Sequence, residues 1–404
     1  MKLAPQLRFL NFHNNWDIKI LSELGEFKKN YSFSRSLEGD GEYHHLHYGD
    51  IHSRYSGVLG SQTSFPSITV LGPLEVIEDR DLIFADASED YKDLGKAVVI
   101  WGLENQKVVA GLHTHRFKPK ENVDSRFLMY FTKTKKYKLF IRKQGTGISV
   151  LGISKKNLSF LEIPMPSFEE QQKIASFFSL MDKKIEKQKE KIKQLELLKK
   201  GMMQKIFSRE FQFKDNNKNP FPKWNKRSLN KIAVINPKSD PLADEFYYID
   251  LEAVEKGRLR KLNIVFKEKA PSRAQRVLKK NDVLFQTVRP YQQNHFYVSK
   301  LYDKQAVAST GYAQLRTNQC SKYLYHLMNT KKFDQEVLKR CTGTSYPAIN
   351  SSDLGKIIIP IPSLEEQKKI ASLLTTIDNK IEKEREILLL YNEQKKGFIE
   401  RMFL

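Results

Sequence analysis

The sequence predicts an α+β chain: two mixed α/β domains joined by two long helices that pair as an antiparallel coiled coil, with pseudo-two-fold symmetry. Three observations predict it. The stretch "IPMPSFEEQQKIAS" at 163–176 returns almost letter for letter as "IPIPSLEEQKKIAS" at 359–372. Each copy opens a run whose apolar residues step by three and four. Each run follows a long stretch of short β-rich segments broken by Gly, Pro and Asp. At 404 residues the chain is long enough for two cores.

Residues 1–160 form the first domain in this reading. Trp16 precedes Leu21 and Leu24, and "DLIFAD" (81–86) reads as a short strand after an acidic residue. Residues 161–210 hold the first long helix. Ser167 with Glu170 spells a capping box, in which the Ser oxygen takes an N–H three residues on and the Glu reaches back. Two successive acids oppose the positive end of the helix dipole. The stripe then runs through Ile174, Phe178, Met181, Ile185, Ile192, Leu195, Met202 and Ile206.

Residues 211–358 form the second domain, a cousin of the first. Trp224 precedes Leu229 and Ile232, and "DVLFQT" (282–287) echoes "DLIFAD". "STGYAQLR" (309–316) parallels "AGLHTHR" (110–116), and "CTGTSYPAINSSDL" (341–354) parallels "GTGISVLGISKKNL" (145–158). A helical patch is expected near 320–340. Residues 359–404 repeat the long helix, with Ser363 and Glu366 at its start and Ile370, Leu374, Ile377, Ile381, Leu388, Tyr391, Phe398 and Met402 along its stripe. Polar interruptions match at Gln188/Glu384 and Lys199/Lys395, as a pair matched in register requires. Gly201 and Gly397 fall at matched positions and read as either a close crossing or an early helix end. Some 40 helical residues at ~1.5 Å each make a rod of ~60 Å. Domain termini usually lie near one another, so two touching rods in the order domain, rod, domain, rod run antiparallel. The twin helices then act as a ruler between two domains.

Composition narrows the function. The formal charge is +22, and residues 208–358 carry +14 of it, against +4 for 1–162, +4 for 163–207 and 0 for 359–404. An excess of that size on one domain favours a polyanion, and nucleic acid is the commonest. Cys320 and Cys341 are the only cysteines, which excludes a disulfide framework and a cysteine zinc site. No apolar stretch is long enough for a membrane span and the amino terminus lacks a signal-peptide core, so the expected location is cytoplasmic, with no membrane partner.

The two domains carry different candidate surfaces. "YHHLHYGDIHSRYSG" (43–57) lies in the first, which has seven of the nine histidines. His44, His45, His47, His52, His113 and His115 lack the acidic spacing of a metal motif, and phosphate or base contact, or plain surface packing, is the better reading. "QTVRPYQQNHFY" (286–297) in the second is rich in Arg, Gln, Asn and Tyr, which suit base edges. The candidate DNA contacts are Lys28, Lys29, Ser34, Arg35, Tyr48 and Arg116 in the first domain. In the second they are Lys238, Ser239, Arg289, Tyr291, Gln292 and Arg316. Two unlike readers on one symmetric frame imply an asymmetric, bipartite target. Phe177, Leu197, Leu198, Leu373, Leu389 and Leu390 fall outside the helix seam and are the candidate partner surface.

No phosphate-binding Gly-x-x-x-x-Gly-Lys-Ser/Thr loop occurs, nor a Gly-x-Ser-x-Gly elbow, nor an Asn/Asp-Pro-Pro-aromatic methylase motif. The paired helix starts, together with "LRFLNFHNNW" before the first domain, "FPKW" before the second and a Gly-Thr turn before each rod, resemble the type I restriction–modification specificity subunits. The resemblance spans essentially the whole chain. It implies two target-recognition domains held apart by the coiled coil, on a non-catalytic subunit. It also implies two modification (methylase) subunits and restriction subunits as partners. Those partners, not this chain, carry S-adenosylmethionine, ATP and Mg; no cofactor or metal is expected here. Two other readings compete. A free-standing bipartite DNA-binding regulator without enzyme partners predicts soluble, specific binding by the chain alone, which the apolar rod surface argues against. A nuclease or methylase in its own right is disfavoured by the missing motifs.

Overall fold

The computed structural model describes residues 4–104, 106–300, 302–343 and 345–403. Residues 1–3 of the amino-terminal stretch and Thr344 of the second Gly-Thr turn lie outside them. The chain divides into two compact units, Met1–Lys189 with Glu386–Leu404 and Glu190–Arg385. It passes from one unit to the other twice, each time inside a long helix: Phe168–Phe207 and Leu364–Met402. Both helices run through Gly201 and Gly397, where an added Cβ would meet nothing within 4 Å. Neither expected role for those glycines is seen.

The first unit holds a five-stranded sheet in the order Gly25–Phe27, Thr114–Pro119, Leu82–Ala85, Ala97–Ile100, Gly57–Leu59. A three-stranded sheet beside it in sequence order pairs Glu38–Leu46 in parallel with Val108–Ala110. The second unit repeats the scheme. Val234–Ile235, Tyr312–Arg316, Val283–Gln286 and Phe296–Tyr297 form one sheet, and Glu245–Ile249 pairs in parallel with Ala306–Ser309 in another. In each unit a two-stranded ribbon leads into the long helix: Asp17–Ile20 with Glu162–Met165, and Asn225–Ser228 with Ile358–Ile361. Two short helices, Ser125–Phe131 and Lys135–Gln144 in one and Ser321–Met328 and Lys331–Leu338 in the other, pack into the core against the start of the long helix.

The repeated Pro-Ser-x-Glu-Glu-Gln start explains that docking. Ser167 and Ser363 accept the N–H of Glu170 and Glu366 at 3.4 and 3.3 Å, as a cap should. The reciprocal half of the capping box is not made. Glu170 instead accepts from Arg8 at 2.7 Å and from Trp16 Nε1 at 3.2 Å. Glu366 does the same with Arg209 at 2.9 Å and Trp224 Nε1 at 2.8 Å. A buried carboxylate gains more from a guanidinium than from a neutral backbone N–H. The next residue ties the short helix down. Gln171 Oε1 accepts from the N–H of Asp124 and Gln367 Oε1 from that of Cys320, each the residue that caps a core helix. Their amide nitrogens close on the Pro166 and Pro362 carbonyls.

Within each unit the two long-helix segments run antiparallel. In the first, Phe177 meets Phe398 with ring centroids 5.3 Å apart, Asp182 pairs with Lys395, and Lys184 lies over Tyr391. In the second, Lys191 pairs with Glu384 at 2.9 Å and Lys199 with Asp378 at 2.6 Å. One polar layer is written in both units. Tyr130 donates to Asp182 at 2.8 Å and lies 3.4 Å from Ser179; the matching residues are His326, Asp378 and Thr375, with His326 Nε2 3.4 Å from Thr375. Burial lowers the His326 pKa to about 3, so the ring is neutral.

Candidate nucleic-acid interface

The best-formed candidate surface is the loop after strand Val283–Gln286. Gln286 organises it: its Oε1 accepts from the N–H of Asn294 at 3.1 Å, and its Nε2 donates to Gln292 at 2.8 Å. The Gln286 backbone N–H donates to His295 Nδ1 at 3.1 Å, which requires an unprotonated nitrogen there. Burial supplies it, lowering the His295 pKa to about 3. Arg289 sits at φ +52° and Gln293 at φ +53°, left-handed positions that bracket a turn with Pro290 buried and Tyr291 and Gln292 exposed. The Arg289 N–H donates to the Pro347 carbonyl at 2.8 Å, and its guanidinium lies 4.3 Å from the Tyr346 ring. Arg289, Tyr291 and Tyr346 are thus presented together, the two tyrosines exposed. Tyr346 is not among the sequence-based candidates; it stands on the second Gly-Thr turn, where Gly343 takes φ +87° and Thr342 bridges to Ala348.

The same place in the first unit has another chemistry. Strand Leu82–Ala85 runs into Asp86, which gathers His113 at 3.1 Å and His115 at 3.4 Å. The loop continues through Glu89, Asp90 and Asp93. Its Gly-Thr turn is the same hairpin, with Thr146 bridged to Gly152 and Gly147 at φ +125°. Of the remaining histidines, His44 meets the Phe65 carbonyl, His45 lies 3.2 Å from Glu38, and His47 caps the helix Tyr48–Ser53. Among the described residues no group of three His, Cys, Asp or Glu is placed to hold a metal.

The structure sorts the candidate contacts. In the first unit Arg35 reaches Asp50 at 3.1 Å yet stays exposed, and Tyr48 is ringed by His47, His52 and His113, so these two share one surface. Lys29 lies over Tyr31, Lys28 pairs with Glu26, and Ser34 bonds Ser36. In the second unit Lys238 is exposed, while Ser239 commits its hydroxyl to the Gln275 carbonyl and the Val277 N–H. Two candidates are corrected. Arg116 is fully buried and held by Asp81 at 2.6 Å, Glu75 at 2.8 Å and Glu78 at 3.2 Å, so it contacts no ligand. Arg316 is mostly engaged by Asp282, with two bonds of 2.8 Å. Strand register also corrects the expected match between them. Phe117 pairs with Leu82 and Leu315 with Val283, which sets Arg116 opposite Gln314 in the repeat, not Arg316.

On the long helices, Leu197, Leu198, Leu389 and Leu390 are 59, 52, 64 and 56 % exposed. Phe177 and Leu373 are withdrawn from the expected partner surface, because both pack against their unit's core. Leu180, absent from the sequence-based candidates, is exposed.

A family model for the type I restriction modification DNA specificity domain matches residues 13–197 and again 203–390. The chain belongs to the type I restriction–modification specificity family. Two specificity domains in one chain fit bipartite target recognition. The type I restriction enzyme MjaVIII specificity subunit of Methanocaldococcus jannaschii is 29 % identical over 280 residues, 65 % of this chain and 65 % of that relative's length. The S subunit of the type I system of M. genitalium shares the fold, with a TM-score of 0.59 at 16 % identity over 100 % of this chain and 99 % of that one. A structure describing complex assembly and conformational transition of the type I system matches with a TM-score of 0.57 at 16 % identity, over 96 % and 97 % of the two chains.

Proposed function

We propose that this specificity chain reads an asymmetric, split DNA sequence, one half with each unit, and does no chemistry itself. The observation that carries the reading is the twofold specificity domain with unlike loops: Arg289, Tyr291 and Tyr346 in one, Asp86 with its histidines in the other. Arg side chains suit guanine edges and phosphates, and exposed tyrosines add stacking surface. Two modification subunits dock on the chain and methylate DNA with S-adenosylmethionine, and restriction subunits bring ATP and Mg. The exposed rod leucines favour this over a free-standing regulator, because an apolar surface of that kind calls for a covering helix.

Sequencing the methylated sites of a host carrying this chain tests the reading. A two-part, asymmetric motif is expected, with one part replaced when residues 1–160 are exchanged for another domain. An undivided or palindromic motif would overturn it. The chain alone, given DNA, Mg²⁺ and methyl donor, is expected neither to cut nor to methylate. Changing Leu197, Leu198, Leu389 and Leu390 together to Lys should abolish co-purification with the modification subunits; retained assembly would remove these residues from the docking surface.

A further inference from the structure

The turn before the central strand is built identically in both units. The Ile77 N–H donates to the Val108 carbonyl at 2.6 Å, and that of Leu278 to the Ala306 carbonyl at 2.8 Å. The Glu78 N–H reaches Asp81 at 2.8 Å and the Lys279 N–H reaches Asp282 at 2.7 Å. Arg80 and Asn281 both close the turn at positive φ, +73° and +74°. Position by position, Glu75, Glu78 and Asp79 therefore correspond to Arg276, Lys279 and Lys280.

That correspondence is a reversal of charge. In the first unit Glu75 and Glu78 close over Arg116, and Lys118 joins them through Glu78. In the second, neutral Gln314 replaces Arg116, and its Nε2 donates to Asp282 at 2.7 Å and to the Val277 carbonyl at 2.9 Å, while its Oε1 is buried without a partner. At that position there is no buried cation for carboxylates to cover. The seven matched positions carry four carboxylates and three cations in the first unit (Glu75, Glu78, Asp79, Asp81, Arg80, Arg116, Lys118). They carry one carboxylate and four cations in the second (Asp282, Arg276, Lys279, Lys280, Arg316).

Arg276 is the odd member. It lies on Ala274–Val277, the edge strand of its sheet, at an irregularity in the pairing with Ala306–Ser309. Its Nε is buried without a hydrogen-bond partner, and among the described residues no carboxylate pairs with it. Burial alone shifts its pKa, downward. A half-buried guanidinium without a counter-charge is costly unless a ligand supplies one. Lys238 reaches the same strand through Ser239, which bonds the Gln275 carbonyl at 2.7 Å; Lys279 is shared with Asp240 at 3.2 Å.

We propose that Lys238, Arg276, Lys279 and Lys280 form a ridge that contacts DNA phosphates on the second unit, with the Arg276 guanidinium as its anchor. This rests on the DNA-reading function above. Phosphate contacts position a reader without specifying sequence, which leaves base reading to the Arg289 loop. The first unit, sealed by carboxylates at the matching place, engages DNA through other residues.

The test is the affinity of the full chain, assembled with its modification subunits, for a target duplex and for a mixed-sequence duplex across a salt series. Arg276→Glu is expected to weaken both duplexes equally, by roughly tenfold, and to flatten the salt dependence by about 0.9 for each phosphate no longer neutralised. Arg276→Gln should do the same to a lesser degree, with the unfolding midpoint unchanged or raised, because it removes an unpaired, half-buried charge on which no carboxylate in the fold depends. Glu75→Gln, at the matching place in the first unit, should leave the salt slope unaltered. If the wild-type chain binds with a steep salt dependence that R276E and R276Q do not change, the ridge is wrong while the function stands. A loss confined to the target duplex would overturn the phosphate role and make Arg276 a base reader. A wild-type assembly with no salt-dependent binding would take down the function as well.

Discussion

The two units keep the same carboxylate at the same turn and surround it in opposite ways. Asp81 faces a buried Arg116 and recruits two further acids around it, whereas Asp282 faces an uncharged Gln314 and leaves Arg316 30 % exposed. A buried cation obliges the chain to place nearby acids where they neutralise it. A buried amide makes no such demand, and the freed positions are basic. One substitution inside a strand thus accompanies a surface that changes sign. This is how two domains with one fold come to present different chemistry at one place, where the matched positions of the second carry +3 of the +14 in 208–358.

The comparison is broken most directly by removing the buried group in each unit. Arg116→Met leaves three carboxylates clustered without their cation and should cost about 3–5 kcal/mol. Gln314→Met leaves Asp282 still paired with Arg316 and should cost about 1–2 kcal/mol. Denaturant unfolding, followed by fluorescence in backgrounds that keep a single tryptophan, Trp16 for one unit or Trp224 for the other, measures both. Equal losses would mean that the three-acid cluster is no more demanding than a hydrogen-bonded amide.

A smaller difference separates the reading loops. Arg289→Ala removes the cation stacked on Tyr346 and should relax one base position of the second half-site by about 1–3 kcal/mol. Uniform weakening at every sequence would instead make Arg289 a phosphate contact. The first unit has no matching arginine, so no single change in its Glu89–Asp93 loop is expected to do the same.

How much of this is legible in the sequence follows from what kind of signal each feature leaves. The long helices announce themselves through caps and a 3-4 stripe, because their stability comes from one repeated contact. The identity of the Glu-Glu-Gln residues shows, but their partners do not. Arg8, Arg209, Trp16 and Trp224 lie between 142 and 162 residues from the glutamates they bond, and nothing local signals such a bond. Arg116 looks like a DNA contact because a buried arginine and an exposed one are written with the same letter. Matching it to Arg316 fails for a related reason: similarity aligns the segments one way, whereas strand pairing fixes the register two residues away. Leu197, Leu198, Leu389 and Leu390 are readable as off-seam residues, while Phe177 and Leu373 are not separable from them without the core they pack against.

The polar layer distinguishes the units by pH. His326 is neutral in the fold with its pKa lowered to about 3, while an unfolded histidine titrates near ~6.5. Between those values the unfolded chain binds a proton that the folded chain refuses. The contribution is therefore fully present above ~6.5 and is lost as pH falls, by about 2 kcal/mol at pH 5. His326→Tyr installs the residue that the first unit uses at this place, Tyr130, and removes that proton. The Trp224 unfolding transition should then tolerate acid better than in the parent, and the Trp16 transition should not move. An unchanged Trp224 profile would show that His326 already titrates as it does in the unfolded chain.

The smallest expected effect is a likeness. Glu170→Gln and Glu366→Gln keep the bond from the tryptophan Nε1 but remove the charge that meets Arg8 or Arg209. Each should destabilise its own unit by about 1 kcal/mol, since a charge-assisted bond becomes a neutral one. Burial raises the Glu366 pKa, so part of the stabilisation by Arg209 is offset by the cost of keeping that carboxylate ionised. A loss at Glu366 well above that at Glu170 would mean that Arg209 stabilises its glutamate more than burial penalises it. The helix starts would then be alike in their bonds and unlike in their energies, as the turns at Asp81 and Asp282 are.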